Sequence, residues 1–435
     1  MELMSIQELY KIYLQHPVIG TDTRKITSGC LFFALKGDHF DANNFAAQAL
    51  KDGAAYAIVD DPKVVNNDRF ILVKNVMGTL QELATFHRQQ LNIPVIGLTG
   101  TNGKTTTKEL VKAVLSQKFN TSATFGNLNN HIGVPLTLLA IEPDVEVAII
   151  EMGANHQKEI AMLSEIAKPD YGLITNVGKA HLEGFGGFEG VKKGKGELYT
   201  FLEKTSGTVF INDDNQHLKE MANNHTFKEV IYYGMSDSGL ISGKLLTNNP
   251  YLEVEWANHT AAYQVKTNLT GIYNFENILA AIAIGVKFGL NPDEINTGIS
   301  TYQPQNNRSQ IIKTNANTII GDFYNANPSS MLVAIENIAR LEANAKTLIL
   351  GDMFELGEES PLEHKLIIEK TLSFNFDQVI FIGEEFYKFN KEHDAQFFKT
   401  SEEFKSLLKA HPIQDHLILL KGSRGMKLET LLEDL

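Results

Sequence analysis

The sequence predicts an α/β protein built from three domains, at residues 1–88, 89–302 and 303–435, and three observations carry that expectation. At 435 residues the chain exceeds the roughly 250 to 300 residues at which a single hydrophobic core stops growing. From Pro94 onward, short buried apolar runs alternate with amphipathic stretches, the signature of a parallel sheet with crossover helices. Beyond Gln303 a second alternating series begins, and it reads as a further, Rossmann-like α/β unit.

Residues 1–88 open on a helical pattern, MELMSIQELYKIYLQ, followed by apolar runs at 30–35 and 55–59 separated by polar turns. They form a small mixed α/β unit, expected to recognise substrate. In the middle unit the strand candidates are 95–98, 147–150 and 171–174. In the last they are 347–350, 378–382 and 417–420, each expected to lead into a helix. The glycine-rich stretch 184–196 is expected to be a loop.

Composition narrows the function classes. The chain is 43% hydrophobic and 21% charged with only 12 prolines, which excludes a disordered chain. Lysines and arginines number 39 against 52 acidic residues, a net charge of −13. No basic field exists to draw nucleic acid or an anionic membrane, so any phosphate must be held by a local site. The first residues lack a basic head and an apolar run, no stretch reaches membrane-spanning length, and the lone Cys30 excludes an intramolecular disulfide. A cytoplasmic chain is expected.

The sharpest local signal is Val95-Ile-Gly-Leu-Thr-Gly-Thr-Asn-Gly-Lys-Thr-Thr-Thr107, a glycine-rich turn between a buried strand and a helix. The helix carries Leu110, Val111, Val114 and Leu115 on one face. Such a turn lets backbone N–H groups converge on a phosphate while the helix N-terminus adds its dipole. Gly100, Thr101, Asn102, Gly103, Lys104, Thr105 and Thr106 are therefore nucleotide-binding candidates, with Lys104 on the outer phosphates and the Thr105 hydroxyl on Mg²⁺. The central unit is thus of the P-loop ATPase kind, although Leu98 stands where the common pattern has its first glycine.

Glu151 closes the run 147–150 and should project from the carboxyl end of a strand, where a carboxylate can hold Mg²⁺. Taken alone it reads equally well as a surface glutamate. His181, in Asn176-Val-Gly-Lys-Ala-His181, follows another strand end and by itself is more often structural than a ligand. Lys195, in Lys192-Lys-Gly-Lys-Gly-Glu197, reads by itself as part of a solvated basic cluster.

Together these motifs resemble the Mur ligase superfamily across essentially the whole chain. The loop Thr99-Gly-Thr-Asn-Gly-Lys-Thr-Thr106, Glu151 in Glu-Met-Gly-Ala, His181 in Ala-His-Leu-Glu-Gly-Phe-Gly and Lys195 in Lys-Gly-Glu match its phosphate and metal positions in order. The resemblance implies ATP, two Mg²⁺ ions held by Thr105, Glu151, His181 and Lys195, and carbamylation of Lys195, which needs a neutral amine. It implies that Asn274 and Asn277, in Gly271-Ile-Tyr-Asn-Phe-Glu-Asn277, serve the adenine, with Tyr273 where many relatives carry histidine. Arg308 would reach the nucleotide phosphates and Asp322 the ribose. Lys104, Lys195, His181 and Arg308 form the implied catalytic set.

Within that superfamily, three segments resemble the members that add D-alanyl-D-alanine: Asp322-Phe-Tyr-Asn-Ala-Asn-Pro328, Leu350-Gly-Asp-Met-Phe-Glu-Leu-Gly357 and Lys421-Gly-Ser-Arg-Gly-Met426. The resemblance implies substrate contacts from Tyr324, Asn325 and Asn327, from Asn129 and Asn130 near the γ-phosphate and muramoyl group, and from Thr23 and Arg24 on the UDP-sugar. The implied activity is an ATP-dependent acid–amino-acid ligation. It joins D-alanyl-D-alanine to UDP-N-acetylmuramoyl-tripeptide through an acyl phosphate, releasing ADP and phosphate, in peptidoglycan precursor synthesis. The enzyme is expected to be a monomer with small-molecule partners and a hinge near Gln303. The alternatives are a diamino-acid-adding ligase of the same superfamily, against which stands the lack of an Asp-Asn-Pro-Arg motif, a polyglutamate-adding ligase, and a regulatory P-loop protein that forms no amide bond.

Overall fold

A computed structural model describes residues 3–304 and 308–435. The first helix, Ile6–Gln15, starts where Ser5 and Glu8 form a reciprocal capping box, and it buries Leu9 and Tyr13. Behind it lies a four-stranded parallel sheet in the order Ile19–Gly20, Leu31–Phe33, Tyr56–Val59, Phe70–Leu72. One face of this sheet packs on itself around Phe32, Ala46 and Val59. The other shares a core with the middle of the chain: Leu9, Phe33, Leu80 and Leu83 lie in one apolar cluster with Val134, Leu138, Ile160 and Leu163. The helix Val76–Gln90 is thus a common wall between the first unit and the second.

The central sheet has nine strands. Its parallel part runs Thr121–Ala123, Val147–Glu151, Val95–Thr99, Tyr171–Ile174, Thr208–Asn212, Glu229–Gly234 and Ile241–Asn248. The strand Val95–Thr99 sits in the middle, all five residues buried, with its sequence successors on both sides. This is a point where strand order reverses, and ligands collect outside the carboxyl ends of such strands. Two strands, Leu252–Ala257 and Ala262–Lys266, extend the sheet in antiparallel fashion, so the central sheet is mixed at one edge rather than parallel throughout. Alternating burial along Leu252–Ala257 marks a strand with one face on the core.

The last unit holds six strands in the order Gln310–Lys313, Thr318–Asp322, Leu417–Lys421, Lys346–Gly351, Gln378–Ile382, Gln396–Phe398, parallel except for the first. Apolar residues cover both faces, as a doubly wound sheet requires. The helical stretch after Leu417–Lys421 consists of two 3-10 turns, Arg424–Met426 and Leu428–Leu431, rather than an α-helix. Gly422 and Gly425 weaken any helix there, and the turns bury Leu428 and Leu431 instead.

The segment 184–196 is likewise not a loop. After the short turn Leu182–Phe185, residues Phe188–Lys204 form one helix of 17 residues. Its glycines serve close approach: a β-carbon on Gly190 would lie 1.9 Å from the Phe185 carbonyl oxygen, and one on Gly194 2.4 Å from the Phe185 ring. Tertiary packing overrides the glycine penalty in this helix, and it carries Lys195 into the interior.

Candidate active site

The turn after Val95–Thr99 is shaped by backbone conformations that favour glycine. Gly100 and Gly103 have φ of +145° and +77°. A β-carbon on Gly100 would fall 2.0 Å from Thr175 Oγ1, and one on Gly103 2.6 Å from Asn277 Oδ1. Asn176 fixes the turn from behind: its Oδ1 accepts from the Asn102 N–H at 3.0 Å, and its carbonyl accepts from Thr101 N–H at 3.0 Å. The helix Lys104–Leu115 begins there with its apolar face buried as expected, and its first N–H groups lack intrahelical acceptors.

This turn opens on a cleft of about 450 Å³. The central unit lines it with Thr101, Asn102, Gly103, Lys104, Thr106, Asn129, Asn130, Glu151 and His181, and the last unit with Arg308, Asp322, Tyr324, Asn325 and Asn327. Lys104 Nζ donates to the carbonyls of Gly100 and Thr101 at 2.9 and 2.8 Å. Its ammonium is pushed down to about 8, by burial first, with Glu151 opposing and Arg308 reinforcing.

Glu151 is buried at the strand end. Its Oε1 accepts from Asn129 Nδ2 at 2.8 Å and from Thr105 Oγ1 at 3.3 Å, while Oε2 has no hydrogen-bond partner. A buried carboxylate oxygen left unmatched beside a hydroxyl suits a cation that brings most of its ligands as water or phosphate, which is how Mg²⁺ binds. Thr105 and Glu151 therefore fit a magnesium site.

His181 and Lys195 lie close by but are turned to other partners. His181 Nδ1 meets the Glu355 carboxylate of the last unit. Burial lowers its imidazole pKa, Glu355 raises it, and Lys104 and Lys195 lower it further. Lys195 is 2% exposed; its Nζ donates to Ala154 O at 3.0 Å and sits 5.0 Å from the Phe185 ring centre. Burial holds the amine well below its ordinary range, with Lys104 adding to the effect and Glu159 and Glu197 opposing it. The solvated-cluster reading of Lys195 thus fails, because the helix that glycine packing permits points it inward. Among the described residues no group of three or more His, Cys, Asp or Glu side chains is arranged to hold a metal.

The last unit touches the phosphate turn directly. Asn327, which caps the helix Pro328–Arg340, donates from Nδ2 to Asn102 Oδ1 at 2.8 Å. Lys179 bridges to Ser329 Oγ through its N–H at 2.9 Å and to Glu363 through Nζ at 2.5 Å. The Arg308 guanidinium stacks 3.8 Å from the Tyr324 ring centre, and Asp322 pairs with buried Lys421 at 2.5 Å.

Comparisons with known proteins agree with this geometry. Family models match along the chain: the Mur ligase family catalytic domain at residues 17–97, the Mur ligase middle domain at 98–285 and the Mur ligase glutamate ligase domain at 307–424. The UDP-N-acetylmuramoyl-tripeptide--D-alanyl-D-alanine ligase of Bacillus subtilis is 35% identical over 96% of this chain and 92% of its own length. That of Escherichia coli is 36% identical over 96% and 93%. The chain belongs to the Mur ligase family.

Solved structures of the family superpose closely. A MurF crystal structure from Acinetobacter baumannii gives a TM-score of 0.88 at 30% identity, covering 100% of this chain and 99% of that one. MurF from Thermotoga maritima in complex with ADP gives 0.85 at 27% identity, covering 96% of both. A Mycobacterium tuberculosis folylpolyglutamate synthase, at 13% identity and a TM-score of 0.62 over 82% of this chain and 94% of that one, shares the fold alone.

Other expected residues of this Mur ligase stand differently. Asn274 and Asn277 line the cleft, yet their amides are spent on protein: Asn277 Oδ1 accepts from Thr107 Oγ1 at 2.9 Å and its Nδ2 donates to Asn274 Oδ1, while Asn274 Nδ2 donates to Thr270 O. They brace the turn from within the cleft lining. Thr23 and Arg24 lie on a 3-10 turn of the first unit, outside the cleft lining, with Arg24 highly exposed and paired to Asp22. Asn176, Lys179, Glu355 and Lys421 carry no assigned role in the sequence although each lies within or beside a quoted motif; only the fold shows that Asn176 braces the turn, that Lys179 and Glu355 join the units and that Lys421 pairs with Asp322 at the cleft.

Proposed function

We propose that this chain is the ATP-dependent ligase that joins D-alanyl-D-alanine to UDP-N-acetylmuramoyl-tripeptide, and that it does so in the cleft between the phosphate turn and the last unit. One observation carries the reading: Lys104, Glu151 with its unmatched oxygen, Arg308 and the Asp322-to-Asn327 segment all line a single cavity. The full-length identity to relatives of that name supports the choice of substrates.

A carboxylate and an amine form a salt, not an amide, so the carboxyl oxygen must first become a leaving group. A carboxylate oxygen of the tripeptide attacks the γ-phosphorus of ATP, the bond to the bridging oxygen breaks and ADP departs. The dipeptide amine, having lost a proton, then attacks the acyl carbon, and phosphate leaves with the carboxyl oxygen. Lys104 and Arg308 neutralise charge at the transferring group, and the turn's N–H groups fix it in place. Thr105 and Glu151 would hold Mg²⁺, which when bound offsets charge on the phosphates. Lys195, as an amine depressed by burial, is suited to carbamylation, and as a carbamate it would join His181 at a second ion.

In this reading residues 1–88 take the UDP-sugar through Thr23 and Arg24, residues 89–302 take ATP, and 303–435 take the dipeptide through Tyr324, Asn325 and Asn327. Asn129 and Asn130 face the muramoyl end, and Asn274 and Asn277 the adenine end. The enzyme works as a cytoplasmic monomer. Among the described residues no helix is long and apolar enough to cross a membrane.

The test is a reconstituted reaction with UDP-muramoyl tripeptide, Mg-ATP and either D-alanyl-D-alanine, a diamino acid or glutamate, read by product mass. Only the dipeptide should be joined, and Lys104→Ala should abolish the reaction. Joining of another amine, or full activity in Lys104→Ala, would reject the assignment.

A further inference from the structure

We infer that Arg424 holds the terminal carboxylate of the incoming dipeptide and so sets both its direction and its acidity requirement. This rests on the ligase reading above. The acceptor has an amine at one end and a carboxylate at the other, and only the amine is productive near the acyl carbon. Left to electrostatics, the carboxylate would be drawn toward Lys104 and Arg308, where phosphate must bind. A second cation, away from the phosphate turn and not already paired, resolves that conflict.

Among the cations of the last unit near the cleft, Lys421 is buried and tied to Asp322 at 2.5 Å, and Arg308 lies against Tyr324 on the nucleotide side, lowering the Lys104 ammonium. Arg424 remains. It is exposed just outside the residues that line the cleft, its guanidinium is 5.7 Å from the same Tyr324 ring centre, and it takes part in none of the ion pairs among the described residues. Tyr324 thus has one guanidinium addressing it from the phosphate side and a second from the turn Arg424–Met426. Two extended residues span about 7 Å, so a dipeptide lying along Tyr324 with its amine inward brings its carboxylate within reach of Arg424.

The turn that carries Arg424 is held by buried contacts on both sides of it. Buried Ser423 accepts from the Phe354 N–H at 3.0 Å and donates its own N–H to Asp352 O at 3.1 Å. A β-carbon on Gly422 would meet Leu428 at 2.8 Å and Gly351 at 3.0 Å, and one on Gly425 would meet the Phe354 ring at 2.6 Å. A fixed turn defines the region the guanidinium can reach, and a guanidinium can meet a carboxylate through two parallel N–H donors.

The experiment compares D-alanyl-D-alanine with its C-terminal amide on the wild-type chain and on Arg424→Gln and Arg424→Lys. Loss of a charged hydrogen-bonded pair predicts a rise in dipeptide KM of about 10- to 100-fold for Arg424→Gln, with KM for ATP and tripeptide held within about twofold and Arg424→Lys in between. The wild type should use the amide as poorly as the variant uses the acid, and Arg424→Gln should no longer distinguish the two. Equal use of acid and amide by the wild type overturns the inference without any variant, as does a Gln variant that still prefers the acid. If the wild type joins neither dipeptide to the tripeptide, the ligase reading itself falls, a separate outcome.

Discussion

Lys195 shows what residue types alone convey and what they do not. Its place in Lys192-Lys-Gly-Lys-Gly-Glu197 suggests a solvated cluster, whereas in the fold it is 2% exposed, beside Ala154 and Phe185. Lys104 was legible because a strand–turn–helix pattern fixes where it must point, whereas the strand end that carries Glu151 left a surface position equally open until the family resemblance was added. Lys195 was legible only by resemblance, since its burial depends on a helix–helix contact that no local pattern encodes. The buried amine also has a measurable consequence. Its folded pKa lies well below the ordinary 10.5, so between the two values the unfolded chain binds a proton that the folded chain lacks. Stability from this group therefore rises with pH across that window, and below it the cost of the buried charge is borne in full. In CO₂-free buffer, Lys195→Met should exceed the wild type in urea midpoint by the most at the lower end of that window, with the gap shrinking as pH rises toward 10.5. Midpoints that stay parallel throughout would show that the amine is not depressed.

At the scale of elements, the helix Phe188–Lys204 departs from the loop its glycines suggest while the strand Val95–Thr99 matches its apolar run, for one physical reason. A buried strand announces itself by its own apolar run, while a glycine in a helix is explained only by what lies against it. The nine-stranded sheet's antiparallel extension was likewise invisible, because Leu252–Ala257 alternates as any half-buried strand does. Glycines of the helix Phe188–Lys204 separate the two roles of that residue. Gly190→Ala would drive a methyl against the Phe185 carbonyl, 1.9 Å away, and should destabilise by about 1–3 kcal/mol. Gly196→Ala meets nothing closer than the flexible end of Met221 at 3.4 Å, and should stabilise by up to about 1 kcal/mol through helix propensity. Denaturant melts of the two single variants give the comparison, and effects of the same sign would refute the packing explanation.

For the whole molecule, the sequence conveyed three α/β units but not how they join. The first and second share a core across the helix Val76–Gln90, whereas the third meets the second largely through polar contacts: Asn327 on Asn102, Lys179 on Ser329 and Glu363, Asn248 on Asn337. Polar seams part more readily than apolar ones, which fits an expected hinge near Gln303, and the Asn327 contact places the last unit on the phosphate turn itself. Such closure matters because an acyl phosphate in contact with water would be hydrolysed before the amine arrived. Phosphoryl transfer to the tripeptide carboxylate in a closed cleft is the claim on which the rest depends. It is tested most directly by labelling that carboxylate with ¹⁸O and following the label through one round of ligation. One labelled oxygen should leave in the phosphate for every amide bond formed. Amide bonds formed with unlabelled phosphate, the departing labelled oxygen passing to water instead, would contradict it.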